Sequence, residues 1–200
     1  MRSAPKLWKV QINDVLLTAL AAALCRWRDQ PEVLINMEGH GREEIGAELN
    51  VSRTVSWFTS FYPLLVKIDE ALDPGALVRA VKEQAQQVPN RGIGYSVLRY
   101  MTSDEAVREQ LLAMPEAEIA FNYTGIQTAQ GGDDSGEGQI HLSEGRASDR
   151  RHPIEIVSHI SGGRLMMRWN FSTTMNDKAT LKRVTDNFLD TLRTMAKALI

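Results

Sequence analysis

Two hundred residues, 43% of them hydrophobic, can bury one real core and suit a single domain or lobe. A formal net charge of -2 excludes the broad basic field that general nucleic-acid binding needs. The single Cys25 excludes an intramolecular disulfide and lacks partners for a cysteine-based zinc site.

Met1–Val10 has no apolar run of the signal-peptide kind. The longest apolar-rich stretch, Val15–Leu24, is too short to cross a bilayer. The expectation is a cytoplasmic chain with no membrane contact, and one cysteine is compatible with a reducing compartment.

Ile12, Val15, Leu16, Ala19, Leu20, Ala23, Leu24 and Trp27 recur in steps of three and four, which predicts one helix with a single apolar stripe. Asn13 or Asp14 would cap it, Gln30-Pro31 would end it, and Cys25 beside the stripe reads as a packing residue. Val33–Met37 then reads as a buried strand. It leads into Asn36–Thr59, where Glu38, His40, Arg42 and Glu43 crowd around two glycines. Glycine permits turns and close approach, so a strand ending in such a loop presents polar groups at a sheet rim.

Val55–Thr59 is rich in strand formers. Pro63 interrupts, and Leu64–Ile68 reads as another strand. Asp73-Pro74 opens a helix with Leu77, Val81, Ala85 and Val88 inward, and Pro89-Asn90-Arg91-Gly92 stops it. Ser103-Asp104-Glu105 opens a shorter helix ahead of Pro115. Glu118–Thr124 alternates as a strand, with Ile119, Phe121 and Tyr123 on one side and Ala120, Asn122 and Thr124 on the other. Gln127–Arg151 turns polar and Gly-rich and reads as a long loop, anchored only by Ile140 and Leu142. Ile154–Ile160, Ser161-Gly162-Gly163 and Leu165–Phe171 give a hairpin signal, with Leu165, Met167, Trp169 and Phe171 sharing a face. A final helix starts near Asn176-Asp177 and buries Leu181, Val184, Phe188, Leu192, Met195 and Leu199. Strands and helices interleave without the strict rhythm of a doubly wound sheet, so the fold class is α/β, a mixed-sheet sandwich.

Five segments carry a resemblance. Glu38-Gly39-His40-Gly41-Arg42-Glu43 resembles a signature of the epimerization domains of non-ribosomal peptide synthetases. Asp14–Leu20 resembles the motif before it, and Arg53–Pro63 the motif after it. Pro89–Tyr95 and Phe121–Gly125 complete the set, in the family's order. The resemblance covers about residues 7–200 and implies that the whole chain, 1–200 with its polar loop at 127–151, is the C-terminal lobe of a chloramphenicol-acetyltransferase-like two-lobed domain.

Such domains invert the α-carbon of an aminoacyl or peptidyl thioester, L to D, on the phosphopantetheine arm of a peptidyl carrier protein. The thioester acidifies the α-hydrogen, so inversion needs a base, an acid and stabilisation of an enolate-like oxygen. No metal or redox cofactor is implied. Carried over by motif, Glu38 is the candidate proton-transferring carboxylate, Arg42 orients it or balances developing negative charge or else makes a structural salt bridge, and Asn122 and Tyr123 are the polar pair of the last motif. Strand alternation places Asn122 and Tyr123 on opposite faces, so joint contact requires a twist or bulge. His40, between glycines, reads as a structural histidine bonded to backbone, and Arg53, Trp57 and Phe58 as lobe builders. Glu38, His40 and Glu43 lack the two-His helical spacing of zinc hydrolases, and no nucleophile-elbow pattern is present.

The family's other catalytic group is a histidine of a His-His-x-x-x-Asp-Gly motif on the N-terminal lobe. His40, His141, His152 and His159 all lie outside such a motif. The isolated chain is therefore expected to be inactive alone, to dock an N-terminal lobe, and to self-associate through the bare lobe surface. Ser56 and Ser96 stand where the family pattern has glycine, and Thr124 where it has leucine. Two other readings remain open: the matching lobe of a condensation domain, including a dual condensation–epimerization type, and a non-catalytic module that binds a carrier protein or partner lobe.

Overall fold

The computed structural model of the chain describes residues 9–43, 50–127, 139–145, 152–172 and 177–198. Six strands form one sheet: β1 Glu32–Gly39, β2 Ser60–Lys67, β3 Ile119–Gln127, β4 Gln139–Gly145, β5 Ile154–Ser161 and β6 Arg164–Ser172. Their spatial order is β2-β1-β3-β5-β6-β4. β1, β3 and β5 run parallel, β2 is antiparallel to β1, β6 is antiparallel to β5, and β4 is parallel to β6. Among the described residues five α-helices accompany them: α1 Ile12–Arg28, α2 Pro74–Gln86, α3 Tyr95–Tyr100, α4 Glu105–Ala113 and α5 Lys178–Lys197.

One sheet face is apolar. Val33, Ile35 and Met37 of β1, Ile119 and Phe121 of β3, Ile154 and Ile156 of β5, and Trp169 and Phe171 of β6 are all buried. α1, α2 and α5 close over this face, and their side chains join the same core cluster. Trp169 meets Phe188 of α5 edge-on, with ring centroids 6.2 Å apart. The single apolar stripe expected on α1 is instead burial on every side from Val15 to Cys25. The helix packs between α2, α5 and the sheet, and Ala19 with Ala21, Ala22 and Ala23 keeps its surface thin enough for that. Thr18 is fully buried there because its Oγ1 donates to the Asp14 carbonyl at 2.7 Å. The α1 cap is Gln11, with Asp14 at the third helical position accepting from the Gln11 backbone N–H at 2.7 Å.

The α2 cap at Asp73, the α5 cap at Asp177 and the β5–β6 hairpin match the sequence expectations. At the hairpin tip Gly162 and Gly163 have φ of 56° and 79°, the left-handed pair that a tight hairpin turn needs. Pro63 does not interrupt β2 but sits inside it opposite Asn36, which is tolerated because β2 is an edge strand. Val55–Thr59 forms no strand; it is irregular, with Val55 100% and Trp57 83% exposed. The polar stretch read as a loop over 127–151 contains β4, whose Ile140 and Leu142 pack against the core. The rest of that stretch lies outside the described residues. Among the described residues no helix is long and apolar enough to cross a membrane.

Candidate functional site

Alternation decides which side chains leave the core. With Met37 of β1 and Phe121 of β3 paired and pointing into it, Glu38 and Asn122 emerge side by side on the opposite face. The two strands are parallel, so their C-terminal ends coincide, and an open cavity of about 860 Å³ lies there. Glu38, Asn122 and Tyr123 all line it, together with His40, Tyr62 and Arg91.

The Glu38 carboxyl is held above the usual carboxylate range. Loss of water around it is the main cause; a hydrogen bond with Asn122 pulls the other way, and the nearby charge of Glu155 pushes further up. Asn122 is therefore both neighbour and partner of Glu38. Tyr123 takes part differently. It packs against the core from the other side of β3 and reaches the cavity at the strand end, where the β3–β5 register shifts between Tyr123 and Ile126. The register is regular through Asn122 and Tyr123, and the irregularity, with Gly125 at φ 87°, lies beyond them at the strand end. Burial raises the Tyr123 phenol, and burial with the charge of Glu43 raises that of Tyr62, so both keep their protons at neutral pH.

His40 matches its structural reading. Its Nδ1 accepts the Arg42 backbone N–H at 2.9 Å, which leaves Nε2 to carry the proton, 3.3 Å from Glu43. Arg42 is the correction. It does not line the cavity, and among the described residues its guanidinium meets carbonyls rather than Glu38. It donates to Val51 at 2.6 Å, Thr54 at 3.0 Å and Ser56 at 3.4 Å, and lies 4.4 Å from the centroid of the Phe58 ring. Gly41 explains the turn away. Its φ is 63°, and a Cβ there would lie 1.6 Å from the Phe58 carbonyl oxygen. The Gly-His-Gly-Arg run thus clamps the 50–58 loop through Gly41 and Arg42, while Glu38, Gly39, His40 and Glu43 line the cavity.

Four residues to which sequence reasoning gave no site role lie at or beside the cavity. Arg91 lines the cavity and lies 3.6 Å from Glu43. The signal was available in Pro89-Asn90-Arg91-Gly92: Gly92, at φ 76°, lets the backbone sit against the Tyr62 ring, where a Cβ would come within 2.1 Å. Glu155 acts on Glu38 from β5, opposite Ala120 in the register. Behind Glu38, Asn36 is buried and its Nδ2 meets His152 Nε2 at 3.0 Å, while His152 Nδ1 meets the Ala117 carbonyl at 2.9 Å. A carbonyl can only accept, so Nδ1 carries the proton that it donates to Ala117, and Nε2 faces the Asn36 amide. Among the described residues no group of histidine, cysteine or acidic side chains has the arrangement of a metal site.

A family model described as "Condensation domain" matches residues 1–199. A linear gramicidin synthase chain of Brevibacillus parabrevis is 36% identical over 203 residues, which is 99% of this chain and 4% of the synthase. Gramicidin S synthase 1 of Brevibacillus brevis is 42% identical over 125 residues, 62% of this chain and 11% of its own length. The solved epimerization domain from the third module of tyrocidine synthetase B superposes with a TM-score of 0.82 at 30% identity, over 99% of this chain and 44% of that one. A condensation domain that mediates chain release from the enacyloxin polyketide synthase superposes with a TM-score of 0.70 at 14% identity, which is a likeness of fold. The chain spans less than half of these solved structures and a small fraction of the synthases.

Proposed function

The chain belongs to the condensation-domain family, and we propose that it forms the C-terminal half of an epimerization domain, inverting the α-carbon of a carrier-bound aminoacyl or peptidyl thioester from L to D. Its sheet and helices form one lobe of the chloramphenicol-acetyltransferase-like fold. The observation that carries the reading is Glu38: a carboxyl with raised proton affinity, bonded to Asn122, at the edge of an open cavity.

Proton transfer at an α-carbon suits a group that can both take and return a proton near neutral pH, and loss of water moves a carboxyl toward that condition. Asn122 holds the carboxylate in place by its hydrogen bond. Tyr123 and Tyr62 present protonated phenols to the same cavity, and Arg91 presents a cation. These are the donors available on this lobe to an enolate-like oxygen. The second proton-transferring group comes from a second lobe, so the chain alone is a half-site. The carrier protein delivers the thioester on its phosphopantetheine arm, and this lobe binds no cofactor of its own. The reaction takes place in the cytoplasm.

The test is exchange at the α-carbon. A carrier protein is loaded with an aminoacyl group, mixed in heavy water with this chain, with and without a separately expressed N-terminal lobe, and deuterium uptake and the D/L ratio are followed. Exchange only with both lobes, and lost in Glu38→Gln, is the expected result. Assembly of the lobes without exchange would overturn the reading in favour of peptide-bond formation or of carrier binding alone.

A further inference from the structure

The proton path leaves two buried polar side chains unused, Asn36 and His152. Asn36 lies on β1 two residues before Glu38, so both side chains leave the same face of the strand, about 7 Å apart along it. His152 stands just ahead of β5. In the sheet order β3 lies between the two, so the imidazole reaches past β3 to a side chain on β1. On the way its Nδ1 donates at 2.9 Å to the carbonyl of Ala117, just ahead of β3, and its Nε2 meets the Asn36 Nδ2 at 3.0 Å. The Ile154 N–H donates to the Glu118 carbonyl at 3.1 Å, which ties the start of β5 to the start of β3. The His152 ring carries that tie across to β1.

The place of this brace matters because the β1–β3 seam is short. The β1–β2 register runs from Glu32–Lys67 to Gly39–Ser60, the whole of both strands. The β1–β3 register runs only from Ile35–Ile119 to Met37–Phe121. Glu38 and Asn122 come next on either side of that seam, beyond its last pair. Their hydrogen bond therefore depends on the lateral spacing of two strands joined by a short backbone ladder, and a side-chain bond weakens steeply as its partners part. The brace from His152 spans the same seam from the strands' N-terminal ends. It is buried, so water does not readily replace either of its bonds.

We propose that His152 is a positioning residue for the reaction: its ring sets the β1–β3 separation at which Glu38 meets Asn122. This rests on the epimerase reading for the chemistry, whereas the brace is read from the sheet alone. His152 does not line the cavity, so it acts through β1 and not on the substrate.

The experiment reads the carboxyl titration of Glu38 in the whole chain, for the wild type, His152→Leu, His152→Gln and Asn122→Ala. Leucine fills most of the space and makes neither bond; the glutamine amide can donate to one partner and accept from the other. The bond from Asn122 lowers the Glu38 midpoint, so loosening the seam should raise it. His152→Leu should show at least about half the rise of Asn122→Ala, and His152→Gln less. Thr191→Val removes a buried hydroxyl bonded to Arg26 and Asn187 in the helix layer, so it destabilises the chain away from the seam and should leave Glu38 unmoved. An unmoved midpoint in folded His152→Leu, or an equal rise in Thr191→Val, would overturn the inference. Should His152→Leu fail to fold, Asn36→Ala, which removes the same bond from the β1 side, is read in its place with the same two outcomes. In the two-lobe exchange assay the variant should lower kcat about tenfold with KM for the loaded carrier unchanged. A raised KM with kcat kept would also overturn the inference. Absence of exchange in the wild-type assembly, with the Glu38 shifts as expected, would strike the epimerase reading and leave His152 as the residue that positions Glu38.

Discussion

Removing the Arg42 side chain tests whether the Gly-His-Gly-Arg run is a clamp. In Arg42→Ala three carbonyl acceptors, on Val51, Thr54 and Ser56, lose one shared guanidinium, and the Phe58 ring loses its cation. A net hydrogen bond contributes about 0.5–1.5 kcal/mol and an exposed cation–π contact about 0.5–1 kcal/mol. Arg42 is itself exposed, so water replaces part of what is lost, and about 1–2 kcal/mol is the expected cost. The loss should be local. Amides of the 50–58 loop should exchange faster and a protease should cut there first, while β1 and β3 keep their protection. Because Trp57 is already exposed, its fluorescence should change little. Arg42→Lys should recover only part of the protection, since an ammonium cannot reach three carbonyls and stack as well. Gly41→Ala should resemble Arg42→Ala or be worse. Unchanged exchange across 50–58 in Arg42→Ala, or a shift in the Glu38 titration as large as the loop effect, would refute the clamp and return Arg42 to the role of orienting Glu38.

A folded carboxyl held above its unfolded value of 4.5 carries no penalty below that value; the cost in stability grows as pH rises from there and is complete above its folded value. Glu38→Gln should therefore be more stable than the wild type at neutral pH, by on the order of 1 kcal/mol after allowance for partial water access, with the gain vanishing below about pH 4.5, as urea unfolding at several pH values would read. His152→Ala leaves the Asn36 amide and the Ala117 carbonyl short of a partner in buried surroundings and should cost about 2–3 kcal/mol in the same assay. Burial pushes the Cys25 thiol up to about 11, so a thiol reagent at neutral pH should modify it only on unfolding.

Periodicity made most of the framework legible. Helix caps at Asp73 and Asp177, the Gly162-Gly163 turn and the alternation of β3 are local signals, and local signals survive without knowledge of the fold. The misreadings have non-local causes. Val55–Thr59 has strand composition but no strand beside it, because Arg42 and Gly41 fix its backbone by side-chain donation and close approach. β4 has only Ile140 and Leu142 to mark it, and its pairing with β6 lies beyond any local window. At the site, Glu38 and Asn122 were named through motifs, but their hydrogen bond depends on the β1–β3 register, which joins segments more than eighty residues apart. Arg42 stood four residues from Glu38 in sequence, and a left-handed glycine between them turned it elsewhere. Arg91, which does reach the cavity, stood in the helix stop and in the Pro89–Tyr95 segment without a role assigned to it.

The most direct measurement is the protonation of Glu38 itself. Selective carbon-13 labelling of glutamate side chains, with Glu38 assigned by Glu38→Gln, gives its carboxyl titration in the folded chain. A midpoint clearly above 4.5 that falls when Glu155 becomes Gln and rises when Asn122 becomes Ala is the expected result, following the causes of its raised proton affinity. A midpoint at or below the ordinary carboxylate value, indifferent to both neighbours, would contradict Glu38 as the group that carries the proton.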